Sequence, residues 1–429
     1  MARAKKEAAL TPEERLQAAL VPDWEWPYKL PENWCWTYQK AVCSLSTGEK
    51  RIGNDYPYWE VKCLRGITLP QIVSSGNFVP VFSKVILVDG ENSGEVFTIL
   101  TSGYMGSTFR MLQISAVVFP KYLELFILSN KDVYRNRKTG SAIPHLNKEL
   151  FFSTPFPLPP LAEQQRIVDR IESLFAKLDE AKEKAQAVLD SFETRKAAIL
   201  HKAFTGELTA KWREEHGVSI DNWKTTRFDS VAAIRSNLVD PAEYQSFPHI
   251  APDNIEKKTG VLLEYHTIAE DGVTSGKHRF YSGQILYSKI RPYLSKAVVV
   301  DFDGLCSADM YPIEAYQNAR CLWYYMLSDE FLLQASTAGS RSVLPKINQK
   351  ELSALTVHLP TNDREQEEIA RILDELFDKE QQTKEAAEVV LDQIDLMKKS
   401  ILARAFRGEL GTNDPSEESA VELLKRTIL

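Results

Sequence analysis

Cysteine is scarce and scattered: Cys35, Cys43, Cys63, Cys306 and Cys321 make an odd count with no C-x-x-C pair. That argues against a disulfide framework or a zinc site, and free, partly buried thiols in a reducing compartment are expected. Long hydrophobic runs are lacking too. No stretch of 18 apolar residues occurs, so no membrane-spanning helix is expected. The opening stretch, MARAKKEAALTPEERLQAAL, has basic residues without the apolar core of a secretory signal, and cytoplasmic residence is the expectation. Catalytic signatures are missing as well. There is no G-x-x-x-x-G-K-[ST] phosphate loop, no G-x-G-x-x-G after a strand pattern, and no H-E-x-x-H among the seven histidines. No Asn-Pro-Pro-aromatic or Asp-Pro-Pro-aromatic tetrapeptide of amino-methylating enzymes occurs; Pro159-Pro160 follows leucine. Asp55 with Glu60-x-Lys62 copies the spacing of a nuclease triad, but such spacing is common by chance and has no evident match in the second half.

What is present is a chain of 429 residues, long enough for two to four domains, with 44% hydrophobic and 26% charged residues, as in ordinary globular proteins. The net charge of −7 is unevenly spread. Residues 22–158 hold 14 Lys+Arg against 12 Asp+Glu, residues 222–358 hold 14 against 15, and residues 359–429 hold 10 against 17. The acidity therefore sits mainly in the C-terminal segment, and the two near-neutral regions are free to carry local basic faces.

The chain repeats itself. Residues 163–208 align without a gap to 365–410, an offset of 202, with 20 identities in 46 positions. Weaker matches run upstream: Gly140-Ser141 with Gly339-Ser340, Pro144-His145-Leu146-Asn147 with Pro345-Lys346-Ile347-Asn348, and Asn33-Trp34 with Asn222-Trp223. Each half is thus a dissimilar head, a similar neck and a near-copied helix. The helix follows from a three-four apolar spacing. Val168, Ile171, Phe175, Leu178, Lys182, Ala185, Leu189, Phe192, Lys196, Ile199 and Ala203 form the first seam. Ala370, Leu373, Phe377, Glu380, Lys384, Ala387, Leu391, Ile394, Lys398, Ile401 and Ala405 form the second. Proline precedes each helix, and Gly206 and Gly408 stand where helices stop. Two seamed helices in one chain predict an antiparallel pair with a pseudo-twofold internal duplication; the alternative packs each stripe on its own head.

The fold class expected is α+β: two mixed α/β recognition domains joined by two long antiparallel coiled-coil helices. The segmentation is 1–21 N-terminal, 22–158 head one, 159–208 first helix, 209–221 linker, 222–358 head two, 359–410 second helix and 411–429 tail. Strand candidates are 85–88 and 116–119 in head one and 284–287 and 297–300 in head two, with helices at 121–130 and 319–334.

Two loops mix cations, hydroxyls and aromatics, the residue types that contact phosphates and base edges. In head two they are Ser288, Lys289, Arg291, Tyr293 and Lys296; in head one Tyr104, Ser107, Thr108 and Arg110. Arg135, Arg137 and Lys138 add a basic cluster, and Arg341 and Lys346 lie in the second neck. The bland reading of each is a solvated turn. No catalytic or metal-ligating residue is assigned.

Four passages resemble the specificity subunit of type I restriction–modification enzymes. They are Leu158-Pro159-Pro160-Leu161-Ala162-Glu163-Gln164-Gln165-Arg166-Ile167-Val168, the paired Ala-Phe-x-Gly-Glu-Leu endings, residues 283–294 from Gly283 to Leu294, and the Pro-x-(Leu/Ile)-Asn necks. The second copy departs at Thr361-Asn362-Asp363-Arg364. The resemblance implies a non-catalytic protein with two target recognition domains, each reading one half of a split double-stranded DNA site. It implies spacer helices that set the gap and dock two methyltransferase (modification) subunits and restriction/translocase motor subunits. It places S-adenosylmethionine, ATP and magnesium on those partners, with no cofactor on this chain. A coiled-coil adaptor whose heads bind proteins, or a nuclease in its own right, are the competing classes; salt-dependent, sequence-selective duplex binding separates the first from a DNA reader.

Overall fold

The computed structural model describes residues 11–138, 144–338 and 345–428. The matched Gly-Ser pairs of the necks and the candidate Arg341 lie outside them. The chain divides into two compact units, Met1–Lys184 with Val390–Leu429, and Ala185–Val389. Each spacer helix is therefore shared between units, whereas the sequence segmentation keeps each helix whole.

In the first unit an antiparallel sheet orders its strands Cys43–Ser46, Phe109–Ile114, Lys84–Leu87 and Val96–Thr98. Strands Glu49–Trp59, Gln71–Val79 and Gly103–Met105 close into a small barrel beside it. The expected strand at 85–88 is found one residue earlier. The one expected at 116–119 is instead a turn leading into helix Pro120–Ser129. The reason is local: Pro120 lacks an N–H for a strand ladder and is suited to the first turn of a helix. That helix matches the predicted one. It buries Tyr122 and Phe126 against Phe156 and Phe406, with ring centroids 4.8–5.7 Å apart at edge-on angles. Helices Pro12–Ala19 and Ala420–Ile428 pack together here, with Ala19, Ala420 and Leu424 in the same core.

The second unit builds its sheet in the same order, Ala232–Ile234, Met310–Ala315, Ile285–Ser288 and Ala297–Val299. The equivalence is residue-by-residue, at an offset of 201. Val88 N–H donates to Thr108 C=O (2.8 Å) as Lys289 does to Asp309 (3.0 Å). Leu146 N–H donates to Val88 C=O (2.8 Å) as Ile347 does to Lys289 (2.9 Å), and Gly90 to Pro144 (2.7 Å) as Arg291 to Pro345 (2.7 Å). The heads that look dissimilar in sequence thus share a core. They differ in what is inserted between its first and second strands in chain order: residues 47–83, holding two barrel strands, against 235–284. The latter supplies most of a five-stranded sheet, Leu238–Val239, Lys277–Phe280, Gly304–Cys306, Pro248–Ile250 and His266–Thr267. The helix predicted over 319–334 is two, Ala319–Met326 and Asp329–Ala338. Ser328 divides them, its hydroxyl donating to Tyr325 C=O (2.7 Å) and accepting from Phe331 N–H (3.4 Å).

The second spacer is one helix, Asp363–Phe406. The first runs Leu161–Asp190, breaks at Ser191, and resumes as Phe192–Phe204. At this break the Ser191 hydroxyl donates back to the Ala187 carbonyl (2.6 Å), which it shares with the Ser191 N–H (3.1 Å). The seams are as predicted: of their positions, all described, only Lys182 is exposed. Pairing is antiparallel within each unit. In the first, Lys398 sits over the Phe175 ring (5.1 Å) and pairs with Asp179 (2.5 Å). In the second, Lys196 sits over Phe377 (5.7 Å), Lys384 over Phe192 (5.4 Å), and Arg195 pairs with Glu380 (2.8 Å). Residue numbers rise on one helix as they fall on the other. Phe175–Lys398 and Phe377–Lys196 are the same pair in duplicate, since 175 and 377, and 196 and 398, match in the repeat. Three of the four seam lysines, Lys196, Lys384 and Lys398, therefore lie over aromatic rings of the opposite copy, and Lys182 is exposed. The alternative of packing on the heads also holds, at the helix ends. Ile167, Val168, Ile171, Leu402, Ala405 and Phe406 join the core of head one, and Leu200, Ala203, Phe204, Ile369, Ala370 and Leu373 that of head two.

The repeated Glu-Gln at each helix start fastens helix to head. Gln164 accepts from Phe119 N–H (2.7 Å) and donates to Val117 C=O (2.9 Å); Gln366 accepts from Asn318 N–H (3.2 Å) and donates to Pro360 C=O (2.7 Å). Glu163 and Glu365 are buried and receive the segment that follows the other copy's Gly-Glu-Leu. Glu163 accepts from Asn413 N–H (3.0 Å) and Thr412 (2.8 Å), and Glu365 from Arg213 (2.7 Å), Thr209 (2.8 Å), Asn222 (2.9 Å) and Trp223 (3.0 Å). Gly206 and Gly408 end the helices at φ +80° and +78°, which glycine adopts at little cost.

Candidate nucleic-acid interface

In head two the strand Ile285–Ser288 runs into a loop held on three sides by backbone. Lys289 N–H reaches Asp309 C=O, its own carbonyl takes Ile347 N–H, and Arg291 N–H is fixed by Pro345 C=O. Pro292–Leu294 forms a 3-10 turn, and Leu294 C=O takes Lys258 N–H (3.0 Å). Arg291 and Ser295 bracket the turn at φ +49° and +46°, a left-handed conformation that costs a residue with a Cβ free energy. Head one has Gly90 at the position of Arg291. The arginine at this position is exposed, and its guanidinium has no side-chain partner among the described residues. Tyr293 beside it is also exposed.

The neighbouring lysines are less free than the sequence suggests. Lys289 donates to Ala308 C=O (2.6 Å), lies 3.6 Å from the Asp309 carboxylate and 5.5 Å from the Tyr311 ring centroid. Lys346, exposed, pairs with the same carboxylate (3.2 Å). Lys296 donates to Pro252 C=O (2.7 Å). Burial first, and the charge of Lys289 second, push the pKa of buried His278 below its ordinary value, so the imidazole stays neutral beside this cluster. Asp309, which gathers two lysines, is absent from the sequence-derived set; a lone aspartate in a Ser-Ala-Asp turn carries no signal. Ser288 is buried, its hydroxyl donating to Ile290 C=O (3.1 Å), so it braces the loop and offers no surface to a ligand.

In head one Tyr104 is likewise removed from any surface. Its ring is fully buried against Tyr56 and Phe78, and its hydroxyl donates to Asn54 C=O (3.0 Å). The alternation of strand Gly103–Met105 turned it inward, where a tyrosine needs an acceptor. Ser107 is exposed and Thr108 half-buried, while Arg110 folds back onto the carbonyls of Ser107 (2.8 Å) and Phe109 (2.7 Å). The head-one loop that corresponds to 290–295 is not this one but residues 89–94. The structure brings Arg135 and Lys138 onto it, through Asn92 and Glu91, and His145 onto Asp89 (2.7 Å). Arg137 is exposed beside them. Both heads thus place cations around the same loop, head two from the loop and neck, head one from the helix Lys131–Asn136 and the residues after it.

Among the described residues no group of three or more His, Cys, Asp or Glu has an arrangement that could hold a metal ion, and no helix is long and apolar enough to cross a membrane.

Comparisons with known proteins agree with this architecture. The family model described as type I restriction modification DNA specificity domain matches twice, at residues 39–189 and 220–390, one match for each half. The chain belongs to that family. The specificity subunit of the type I restriction enzyme EcoDI of Escherichia coli is 36% identical over 397 residues, covering 85% of this chain and 86% of that one. The EcoKI specificity subunit of Escherichia coli strain K12 is 24% identical over 338 residues, covering 71% and 68%. Among solved structures, the HsdS subunit from Thermoanaerobacter tengcongensis shares the fold with a TM-score of 0.60 at 19% identity, over 90% of this chain and 99% of that one. A chain from a study of assembly and conformational transition of the type I R-M system does so with a TM-score of 0.69 at 18% identity, over 89% and 100%.

Proposed function

We propose that this specificity subunit reads an asymmetric, bipartite site in double-stranded DNA, one half with each head. Head two meets the duplex through Arg291, Tyr293 and Lys346, with Lys289 and Lys296 shaping the loop. Head one uses the surface around Ser107, Thr108, Arg110, Arg135, Arg137 and Lys138. The paired spacer helices set the gap between half-sites and dock two modification subunits and, with them, the restriction and translocase subunits. S-adenosylmethionine, ATP and magnesium act on those partners; this chain performs no covalent step and works in the cytoplasm.

The observation that carries this reading is the combination of one shared head core with two unlike inserts, 47–83 and 235–284, on near-copied helices. A common frame with different reading surfaces is what two unlike half-sites require. The test exchanges residues 222–358 for the head of another family member and maps methylated adenines in DNA modified by the assembled complex. One half of the site should change while the other half and the gap stay. A change in both halves, or in neither, would overturn the modular reading.

A further inference from the structure

The insert that distinguishes head two carries two cations that have no counter-ion among the described residues. Strand Lys277–Phe280 alternates its side chains, so Phe280 enters the core while Lys277, Arg279 and Tyr281 share the other face. The Arg279 guanidinium is surrounded by aromatic rings: Tyr281 at 4.9 Å, Tyr244 at 5.4 Å and Phe247 at 5.9 Å from their centroids. The Tyr244 hydroxyl is 3.5 Å from one of its nitrogens, and its Nε is buried without a hydrogen-bond acceptor. Two positions earlier, Lys277 is buried and donates to the Ser275 hydroxyl (2.7 Å) and carbonyl (3.0 Å). Among the described residues no carboxylate pairs with either cation, in a chain whose formal charge is −7 and whose other arginines and lysines make many ion pairs. A guanidinium stacked on aromatic faces is held in position, and its remaining terminal N–H donors suit a phosphate or carboxylate oxyanion.

We propose that Arg279, braced by Tyr244, Phe247 and Tyr281 and backed by the charge of Lys277, is a contact of head two with a DNA backbone phosphate. This rests on the reading that head two meets DNA. A phosphate supplies the missing counter-charge and the acceptors that the guanidinium lacks. The contact lies in the insert, not in the shared core, so it has no counterpart in head one.

The experiment titrates the full chain with a fluorescent 30-base-pair duplex, one of random sequence and one carrying the site methylated in the host, across a range of salt concentrations. One phosphate contact contributes about 0.9 to the slope of log affinity against log salt. Arg279→Gln should reduce the slope by about that amount and weaken both duplexes about eightfold at 0.1 M salt, while Arg279→Lys keeps the parental slope. An unchanged slope in a folded Arg279→Gln protein overturns the proposal, as does a loss confined to the specific duplex, which would mark a base contact. Should Arg279→Gln fail to fold, hydroxyl-radical footprinting of the parent chain decides. Tyr281, 44% exposed, should be oxidised in the free chain and protected by duplex; lack of protection overturns the proposal. If the parent chain shows no salt-dependent binding at all, it is the function proposed above that fails.

Discussion

Replacing Glu365 tests whether the buried carboxylate at the helix start holds the second unit together. Its side chain is fully inaccessible, and Arg213, its ionic partner at 2.7 Å, is 10% exposed. Desolvation alone would raise its pKa, but the bonds from Asn222, Arg213, Thr209 and Trp223 outweigh it and hold the carboxyl below its ordinary value. Glu365→Ala leaves a buried guanidinium, a hydroxyl and an indole N–H without their acceptor. Breaking a buried pair in this way costs about 3–5 kcal/mol, which favours local opening of residues 209–223 by roughly 10²- to 4 × 10³-fold. Glu365→Gln keeps one acceptor oxygen and loses at least one charge-assisted bond, about 1.5–3 kcal/mol. The assay is amide hydrogen exchange over residues 209–223, with Glu375→Ala as a control. That side chain pairs with Arg371 on the surface, so its loss should leave exchange over residues 209–223 unchanged. A pH series adds a sign. The folded pKa is depressed, so the stabilisation is present above the unfolded value of about 4.3. It is lost as pH falls through the folded value, and neither variant should show that loss. Exchange in Glu365→Ala equal to that of the control would mean that desolvation cancels the pair, refuting the reasoning.

Three more outcomes follow from the same geometry. Lys196 is buried on the helix seam and its pKa is lowered by burial to about 8. The unfolded chain therefore holds the extra proton between that pH and about 10.4, and stability of the second unit should rise across this window. Lys196→Met should abolish the rise without destabilising the protein at neutral pH, as measured by urea unfolding. A Cβ at Gly411 would lie 1.6 Å from the Glu163 carboxylate, so Gly411→Ala should displace the 411–414 segment and raise its proteolysis, whereas Thr412→Ser should not. Arg291→Ala should reduce duplex binding by the assembled complex, with about 1–3 kcal/mol less discrimination in the second half-site if the guanidinium reads a guanine; Arg291→Gly, relieving the φ of +49°, separates lost contact from relieved strain, and unchanged binding in both would leave the loop structural.

The periodicities were legible in the residues themselves. An apolar stripe every three to four residues defines a helix and its seam without reference to the rest of the chain, because helix hydrogen bonds are local. The 202-residue repeat, the glycine stops and the motifs shared with type I specificity subunits are likewise properties of the string. Tertiary structure alone decided which strand lies beside which, because ladder bonds join backbones far apart in sequence and barely depend on side-chain type. So Val88 and Lys289, or Gly90 and Arg291, occupy one position in the two heads although no residue match reveals it. The same distance hides burial. Tyr104 and Ser288 look like loop residues in the sequence, and only the packing of partners 50 residues away, or a carbonyl two residues on, turns them inward. Lys277 and Arg279 carry no distinguishing mark in the sequence for that reason: charge is written there, but whether a charge has found its counter-ion is settled by the neighbours that folding brings to it.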